Sequence, residues 1–198
     1  MNDTYELKNF FEAMIPEIHQ NAIEHGWWDG ERTNVEIYSL FHSELSEALE
    51  EYRMARPNCY IVGKYGIQIA GFGDDPDAKP EGVAVELADY IIRVLDYFGV
   101  RSWGMEEFEI YQKAYLESKI DLRNETVPRV IANAHYATSL AFGYSDNKED
   151  FLEKCMLTTA MIWISKWFEA NSLDVQSVIR IKHAHNKTRP YKHGGKRI

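Results

Sequence analysis

The segment KPEGVAVELADYIIRVLDYFG, residues 79–99, gives the clearest indication of the fold class of this chain. At roughly 100° per residue, it forms a helix that is apolar around most of its circumference. Its polar residues, Glu86, Asp89, Arg93 and Asp96, fall on one narrow stripe. A helix of this kind must be surrounded by other helices, so we predict a central position for it in a bundle. Its polar stripe then faces either water or an internal polar site.

Helical periodicity also dominates the rest of the chain and predicts an all-α fold. We expect helices at about 4–25, 33–54, 80–99, 104–118, 125–143, 147–171 and 173–186. The segment at about 57–79 breaks this pattern with four glycines, two prolines and the apolar runs Tyr60-Ile-Val and Ile67-Gln-Ile. We expect it to form an irregular insertion, either a loop or a small hairpin.

Length and composition favour a single soluble domain over residues 1–198, of which 45% are hydrophobic. No apolar run approaches the ~20 residues that a bilayer span requires, so we expect no membrane contact. The first residues lack the basic region and apolar core of a signal peptide. Cys59 and Cys155 are isolated, and a disulfide between them is not expected. We therefore predict a cytoplasmic protein.

The charge of the chain is unevenly distributed. The segment 180–198 holds seven of the 22 basic residues and no acid, so the remainder carries 15 basic against 31 acidic residues, a charge of −16. Such a basic segment is typical of a solvated end or of a nonspecific contact with nucleic acid. It can also close over an acidic, metal-loaded site and hold phosphates.

Two acidic pairs make the second interpretation relevant: Glu44-Leu-Ser-Glu47 and Glu86-Leu-Ala-Asp89. Each pair is spaced by three residues, so its two carboxylates project from one side of a helix. Most Glu-x-x-Glu matches are simply solvated helix faces. Here, however, Glu44 falls inside the apolar arc of its helix and Glu47 falls at the edge of that arc. A buried acid must be paired or bound to a metal ion, because an unpaired buried charge costs several kcal/mol.

The chemistry of the pairs favours hard divalent cations. If the two helices face each other, four carboxylates converge, and all-oxygen sites favour Mg²⁺ or Mn²⁺. No Glu is followed by His three positions later, and no His-Glu-x-x-His motif or Walker-type glycine loop occurs. For Arg93 and Asp96, a solvated or ion-paired position is the simpler interpretation.

Three segments resemble a known family. HSELSEALEEYR (42–53), the segment 79–99 and IKHAHNKTRPYKHGGKRI (181–198) are similar to MazG-like all-α nucleoside triphosphate pyrophosphohydrolases of phages and bacteria, which are related to dimeric dUTPases. The family pattern also places a Lys and an Asn after the second acidic pair, which Lys182 and Asn186 match. One departure is that 38 residues separate Glu47 from Glu86, more than is usual.

The resemblance implies a helical bundle of the all-α NTP pyrophosphatase type. It also implies that the chain hydrolyses a (d)NTP to the (d)NMP and pyrophosphate. Two or more Mg²⁺ ions, or Mn²⁺, would bind Glu44, Glu47, Glu86 and Asp89. Such ions clamp a triphosphate and lower the pKa of a bound water. Glu47 is our candidate for orienting or deprotonating that water.

The remaining site residues are expected to bind the substrate. Charge-assisted contacts with the phosphates are predicted first for Lys182, Asn186 and Arg189. The second-line candidates for the same role are Lys187, His193 and Lys196. An aromatic residue can stack on the base, and the candidates are Trp28, its neighbour Trp27, and Tyr191.

Two alternatives remain open at this stage. One is a hydrolase of another pyrophosphate compound, such as an alarmone or a nucleotide sugar, since the site chemistry would be the same. The other is a non-catalytic acidic helical module with a basic tail, although this leaves the position of Glu44 unexplained. Nucleic acid is not the expected partner. A homodimer or homotetramer is expected, because bundles of the family usually associate.

Overall fold

The computed structural model describes residues 3–63, 66–68, 78–108, 110 and 126–195. The described chain is mostly helical, which confirms the predicted helical class. The helices are α1 (Asp3–Glu24), α2 (Asn34–Arg53), α3 (Val83–Arg101), α4 (Val127–Asp146), α5 (Asp150–Ala170), α6 (Val175–Thr188) and the short α7 (Lys192–Gly195). The strands are β1 (Tyr60–Gly63), β2 (Gly66–Gln68) and β3 (Lys79–Glu81). Most of the helix predicted at 104–118 lies outside the described residues.

Helix α3 lies at the centre, as its sequence predicts. Fourteen of its 19 residues are buried, and it contacts α1, α2, α5 and α6. Helices α4 and α5 pack on each other as a hairpin, and α4 also packs against α2. The polar stripe of α3 is therefore turned toward α2 and α6 inside the molecule, where its acids can meet side chains of both helices.

The irregular segment forms a small antiparallel sheet with the strand order β2-β1-β3. Of the two forms that the sequence allowed, a loop or a small hairpin, the hairpin is observed, since Val62 of β1 pairs with Ile67 of β2. The third strand was not expected. Pro80 pairs with Ile61 in edge strand β3, where a missing N–H is tolerated, so the predicted start of α3 at residue 80 is wrong.

Helix α3 begins directly after the sheet because the chain turns tightly at Gly82. Its φ is 114°, and a Cβ atom there would lie 2.6 Å from the carbonyl oxygen of Asn58. Only glycine satisfies both conditions. The amide of Ala84 donates to the same Asn58 oxygen at 2.9 Å. This turn fixes the sheet against the N-terminal end of α3.

A buried carboxylate joins three helices at the other end of the core. Glu153 of α5 is fully buried. One of its oxygens accepts hydrogen bonds from Tyr38 of α2 at 2.9 Å and from Tyr97 of α3 at 2.7 Å. The other accepts from the Arg101 guanidinium at 3.1 Å. This network satisfies the buried charge entirely with protein groups.

No described helix combines the length and the apolar composition needed to cross a membrane. Cys59 and Cys155 are both free thiols, which agrees with the expectation that they form no disulfide. The hydrophobic core lies between α1, α2, α3, α4, α5 and α6.

Candidate metal centre

Three of the four predicted acids meet in the interior. Glu44 of α2 and Glu86 and Asp89 of α3 are 4%, 3% and 5% exposed. Each offers a carboxylate oxygen within 4.8 Å of those of the other two. Packing of α2 on α3 creates this cluster, because each acid lies on the face that its helix turns toward the other. We call these three residues the acidic cluster.

Glu47, the fourth predicted acid, has a different environment. It is exposed, and its carboxylate accepts a hydrogen bond from the Ser43 hydroxyl at 3.3 Å. It is not among the acids whose oxygens meet within 4.8 Å. Glu47 therefore borders the site rather than forming its centre.

Two cations contact the acidic cluster. The Lys182 ammonium of α6 lies 3.4 Å and 3.3 Å from the two oxygens of Glu86 and 3.4 Å from an oxygen of Asp89. The Nε of Arg93 donates to Glu44 at 3.0 Å. Lys182 is only 3% exposed. Three acids thus share two positive charges when all of them are ionised.

Burial and neighbouring charges shift the pKa values of the three acids in different directions. Burial, followed by the nearby Asp89 charge, raises the pKa of Glu44 to about 7. Burial also raises the pKa of Glu86 to about 8, although Lys182 opposes this. Burial disfavours ionised Asp89 too, but the charges of Lys182 and Arg93 outweigh it and lower the pKa of Asp89. When all three acids are ionised, the cluster therefore carries more negative charge than Lys182 and Arg93 neutralise, and the raised pKa values of Glu44 and Glu86 reflect this cost together with burial.

A cavity of about 410 Å³ opens beside the acidic cluster. All four predicted acids and four cationic side chains line it. The acids are Glu44, Glu47, Glu86 and Asp89, and the cations are Lys79, Arg93, Lys182 and Arg189. Opposite charges at this density suit a ligand that is itself an anion bound through metal ions.

Besides Lys182, helix α6 and the residues after it supply three more of the predicted phosphate-binding groups. Asn186 donates from its amide nitrogen to Asp89 at 3.0 Å, and its amide oxygen is buried without a hydrogen-bond partner among the described residues. Arg189 and His193 line the cavity. The C-terminal segment thus lies over the acidic cluster.

The other two predicted phosphate-binding lysines are placed differently. Lys187 forms an ion pair with Glu17 of α1 on the surface and is not among the residues that line the cavity. Lys196 lies outside the described residues. Any role of these lysines toward phosphate stays a prediction.

Neither of the two leading candidates for base stacking lines the cavity. The Trp28 indole donates to Asp96 at 3.0 Å, and Asp96 also contacts His19 at 2.7 Å. Asp96 is therefore hydrogen-bonded in the interior. Tyr191 is 57% exposed, and its hydroxyl bonds to Asp29. Both aromatic residues hydrogen-bond to acids that are distant in the sequence.

Sequence reasoning did not place Arg93 and Lys79 at the cavity wall, and it named Trp27 only beside Trp28. Trp27 lines the cavity instead of Trp28, and its ring meets that of His193 edge to face at 4.8 Å. Arg93 lies one helical turn after Asp89 on the same stripe, so its position was visible in the sequence. Lys79 had no such signal, because it reaches the cavity only through strand β3.

The donor set fits a hard divalent cation. Buried carboxylate oxygens from three acids are the ligands that Mg²⁺ and Mn²⁺ prefer, and the adjoining cavity gives access to solvent and substrate. We compared the chain with protein-family models, with curated proteins and with solved structures, and none of the three comparisons gave a match. The resemblance to the MazG-like family therefore rests on the sequence motifs alone.

Proposed function

We propose that the protein is a divalent-cation-dependent nucleoside triphosphate pyrophosphohydrolase, which converts (d)NTP and water to (d)NMP and pyrophosphate. One observation carries this proposal. The buried acids Glu44, Glu86 and Asp89 converge beside a cavity that four cationic side chains also line. The resemblance of the motifs to the pyrophosphohydrolases supports the same reaction.

In this proposal Glu44, Glu86 and Asp89 hold Mg²⁺ or Mn²⁺. Such an ion neutralises phosphate charge and lowers the pKa of a bound water. Lys79 and Arg189 line the cavity and bind the triphosphate by charge-assisted hydrogen bonds. Phosphoryl transfer depends mainly on such positioning and charge neutralisation.

Glu47 is the proposed proton acceptor for the attacking water. It is the exposed member of the four acids and lines the cavity, so its carboxylate is in contact with the cavity solvent. The nearby Ser43 hydroxyl fixes one of its oxygens and leaves the other available. A carboxylate in this position can orient the water and take up its proton.

The first test resolves the products formed from each common NTP and dNTP with Mg²⁺. We expect a monophosphate and pyrophosphate, and we expect EDTA to abolish the reaction. Inorganic phosphate as the primary product, with no pyrophosphatase present, would contradict the proposal. Hydrolysis of an alarmone or a nucleotide sugar alone would favour the alternative substrates.

A variant pair sharpens this test. Glu47→Gln should lower kcat at least about 100-fold, the usual range for loss of a general base. Glu50→Gln is the matched control, because Glu50 lies on the same helix but pairs with Arg53 on the surface. Equal activity of the two variants would remove Glu47 from the mechanism. The same samples, analysed by sedimentation, test the proposed homodimer or homotetramer.

A further inference from the structure

The contacts of Lys182 resemble those of a bound ion more than those of a structural salt bridge. Its ammonium lies among three carboxylate oxygens of Glu86 and Asp89, at 3.3 Å to 3.4 Å from each. Charge-assisted N–H···O bonds in proteins are typically about 2.7–2.9 Å long. The ammonium is therefore centred between the oxygens and not bonded tightly to one of them.

The Lys182 side chain also has open space beside it, into which it can move. Its side chain lines the cavity of about 410 Å³ that adjoins the acidic cluster, and a lysine carries its charge on a flexible four-carbon stem. Arg93 differs in both respects. It donates to Glu44 at 3.0 Å, and its guanidinium lies over the Trp27 ring at 5.9 Å. Of the two cations at the cluster, Lys182 is the one that can move.

Charge balance favours an exchange. The three carboxylates and Arg93 sum to −2 when all are ionised. Lys182 leaves this sum at −1, whereas one divalent cation brings it to zero. A divalent cation that entered beside Lys182 would meet the like charge of the ammonium within the same cage. The stable arrangements are therefore one cation or the other.

We propose that the Lys182 ammonium takes the place of the divalent cation in the ion-free protein, and that cation entry moves it into the cavity, where it binds the substrate phosphates. This inference rests on the proposed function for the identity of that anion. It makes Lys182 a built-in competitor for the metal ion. It also couples the binding of the divalent cation to the binding of the substrate. A phosphate that pairs with the Lys182 ammonium holds it away from the acidic cluster and so raises the affinity of the cluster for the divalent cation.

Calorimetric titration with Mn²⁺, without nucleotide, tests the exchange. Lys182→Met should bind Mn²⁺ at least about tenfold more tightly than the wild type, since its cage holds no competing charge. Arg189→Met is the control: it removes one positive charge from the same cavity without emptying the cage, and its affinity should change less than about threefold. Equal gains in both variants would reduce the effect to general electrostatics and overturn the proposal.

A second measurement needs no variant. Lys182 is 3% exposed, so a small amine-modifying reagent should label it slowly in protein prepared with EDTA. Mn²⁺ alone should raise its labelling several-fold, as measured by mass spectrometry of its peptide. Unchanged labelling at saturating Mn²⁺ would overturn the exchange even if Lys182→Met failed to fold.

The outcomes separate this inference from the proposed function. Tighter Mn²⁺ binding by Lys182→Met, together with a wild type that hydrolyses no nucleotide, would leave the exchange standing and reject the pyrophosphohydrolase. Nucleotide hydrolysis by the wild type, together with an Mn²⁺ affinity that Lys182→Met leaves unchanged, would support the pyrophosphohydrolase and reject the exchange. Absence of Mn²⁺ binding to both proteins would reject the metal site and the exchange together.

Discussion

Glu86 and Asp89 lie three residues apart on α3 and contact the same ammonium, yet their pKa values shift in opposite directions. Both are buried, which disfavours their charged forms. Asp89 also accepts a hydrogen bond from Asn186 at 3.0 Å and lies closer to the influence of Arg93, so its pKa is lowered. Glu86 lacks these partners, and its pKa is raised to about 8. Burial and the neighbouring acids raise the pKa of Glu86, whereas the contacts of Asp89 with Lys182, Arg93 and Asn186 outweigh its burial.

This difference predicts opposite effects of neutralising the two acids. A raised pKa contributes stability below the ordinary value of 4.5 that is lost as the pH rises through about 8. In EDTA at pH 9, Glu86→Gln should therefore raise the melting temperature. A lowered pKa contributes stability above the ordinary value of 3.8, so Asp89→Asn should lower it at the same pH. Thermal unfolding measures both, and two shifts of the same sign would contradict the contacts described for Asp89.

At the scale of elements, the helices and the acidic pairs were predictable because their signals are local. Spacing placed Glu86 and Asp89 on one side of α3 and Glu44 in the apolar arc of α2, whereas the convergence of the three acids depends on how α2 packs on α3. Strand β3 was not predictable, since Pro80 enters it only by pairing with β1. Trp27 and Trp28 are neighbours in a loop, and the packing of distant helices decides which of them lines the cavity. Such choices leave no periodic signal in the sequence.

The contact between α2 and α4 should be sensitive to acid. His42 and His135 stack with ring centroids 5.0 Å apart, and their Nδ1 atoms lie 2.8 Å apart, so one nitrogen must donate and the other must accept. Burial lowers the pKa of both imidazoles below 6.5. The stability from this pair is therefore present above pH 6.5 and lost as the pH falls through the lowered values.

Variants at this pair test the sign. The fall in melting temperature between pH 7.5 and pH 5.5 should be smaller in His42→Gln/His135→Gln than in the wild type. Either single variant should give only part of the effect, because burial still lowers the pKa of the imidazole that remains. An equal fall in wild type and double variant would assign the acid sensitivity to other groups.

At the scale of the whole molecule, the basic C-terminal segment contacts the residues that directly follow α1. The backbone amide of Lys192 donates to His25 at 3.0 Å, and the Tyr191 ring lies against Gly26, where an added Cβ would overlap it. This contact holds Arg189 and His193 at the cavity. A triphosphate approaching the acidic body then meets positive charge at the entrance.

Disrupting this contact should weaken substrate binding without altering the acidic cluster. Gly26→Ala should speed hydrogen exchange in residues 189–195 and raise KM about tenfold or more, the effect of losing one charge-assisted contact. Gly30→Ala is the matched control, because an added Cβ there meets nothing within 4 Å. Tyr191→Ala removes the ring without altering the backbone of Gly26, whose φ is 74°, and should reproduce the effect. Hydrogen exchange at the wild-type rate in both Gly26→Ala and Tyr191→Ala would show that this contact does not hold the C-terminal segment in place.

The network around Glu153 has a consequence for the alignment of the helices along their axes. A purely apolar core tolerates the sliding of one helix past another, because one methyl group replaces another with little loss. Sliding α5 by one turn, about 5.4 Å, would carry the Glu153 carboxylate away from Tyr38, Tyr97 and Arg101 and leave its charge buried without donors. Misaligned packings of α5 against α2 and α3 are thereby penalised far more than the correct one is stabilised. A single buried carboxyl side chain thus selects one register among those of similar hydrophobic content.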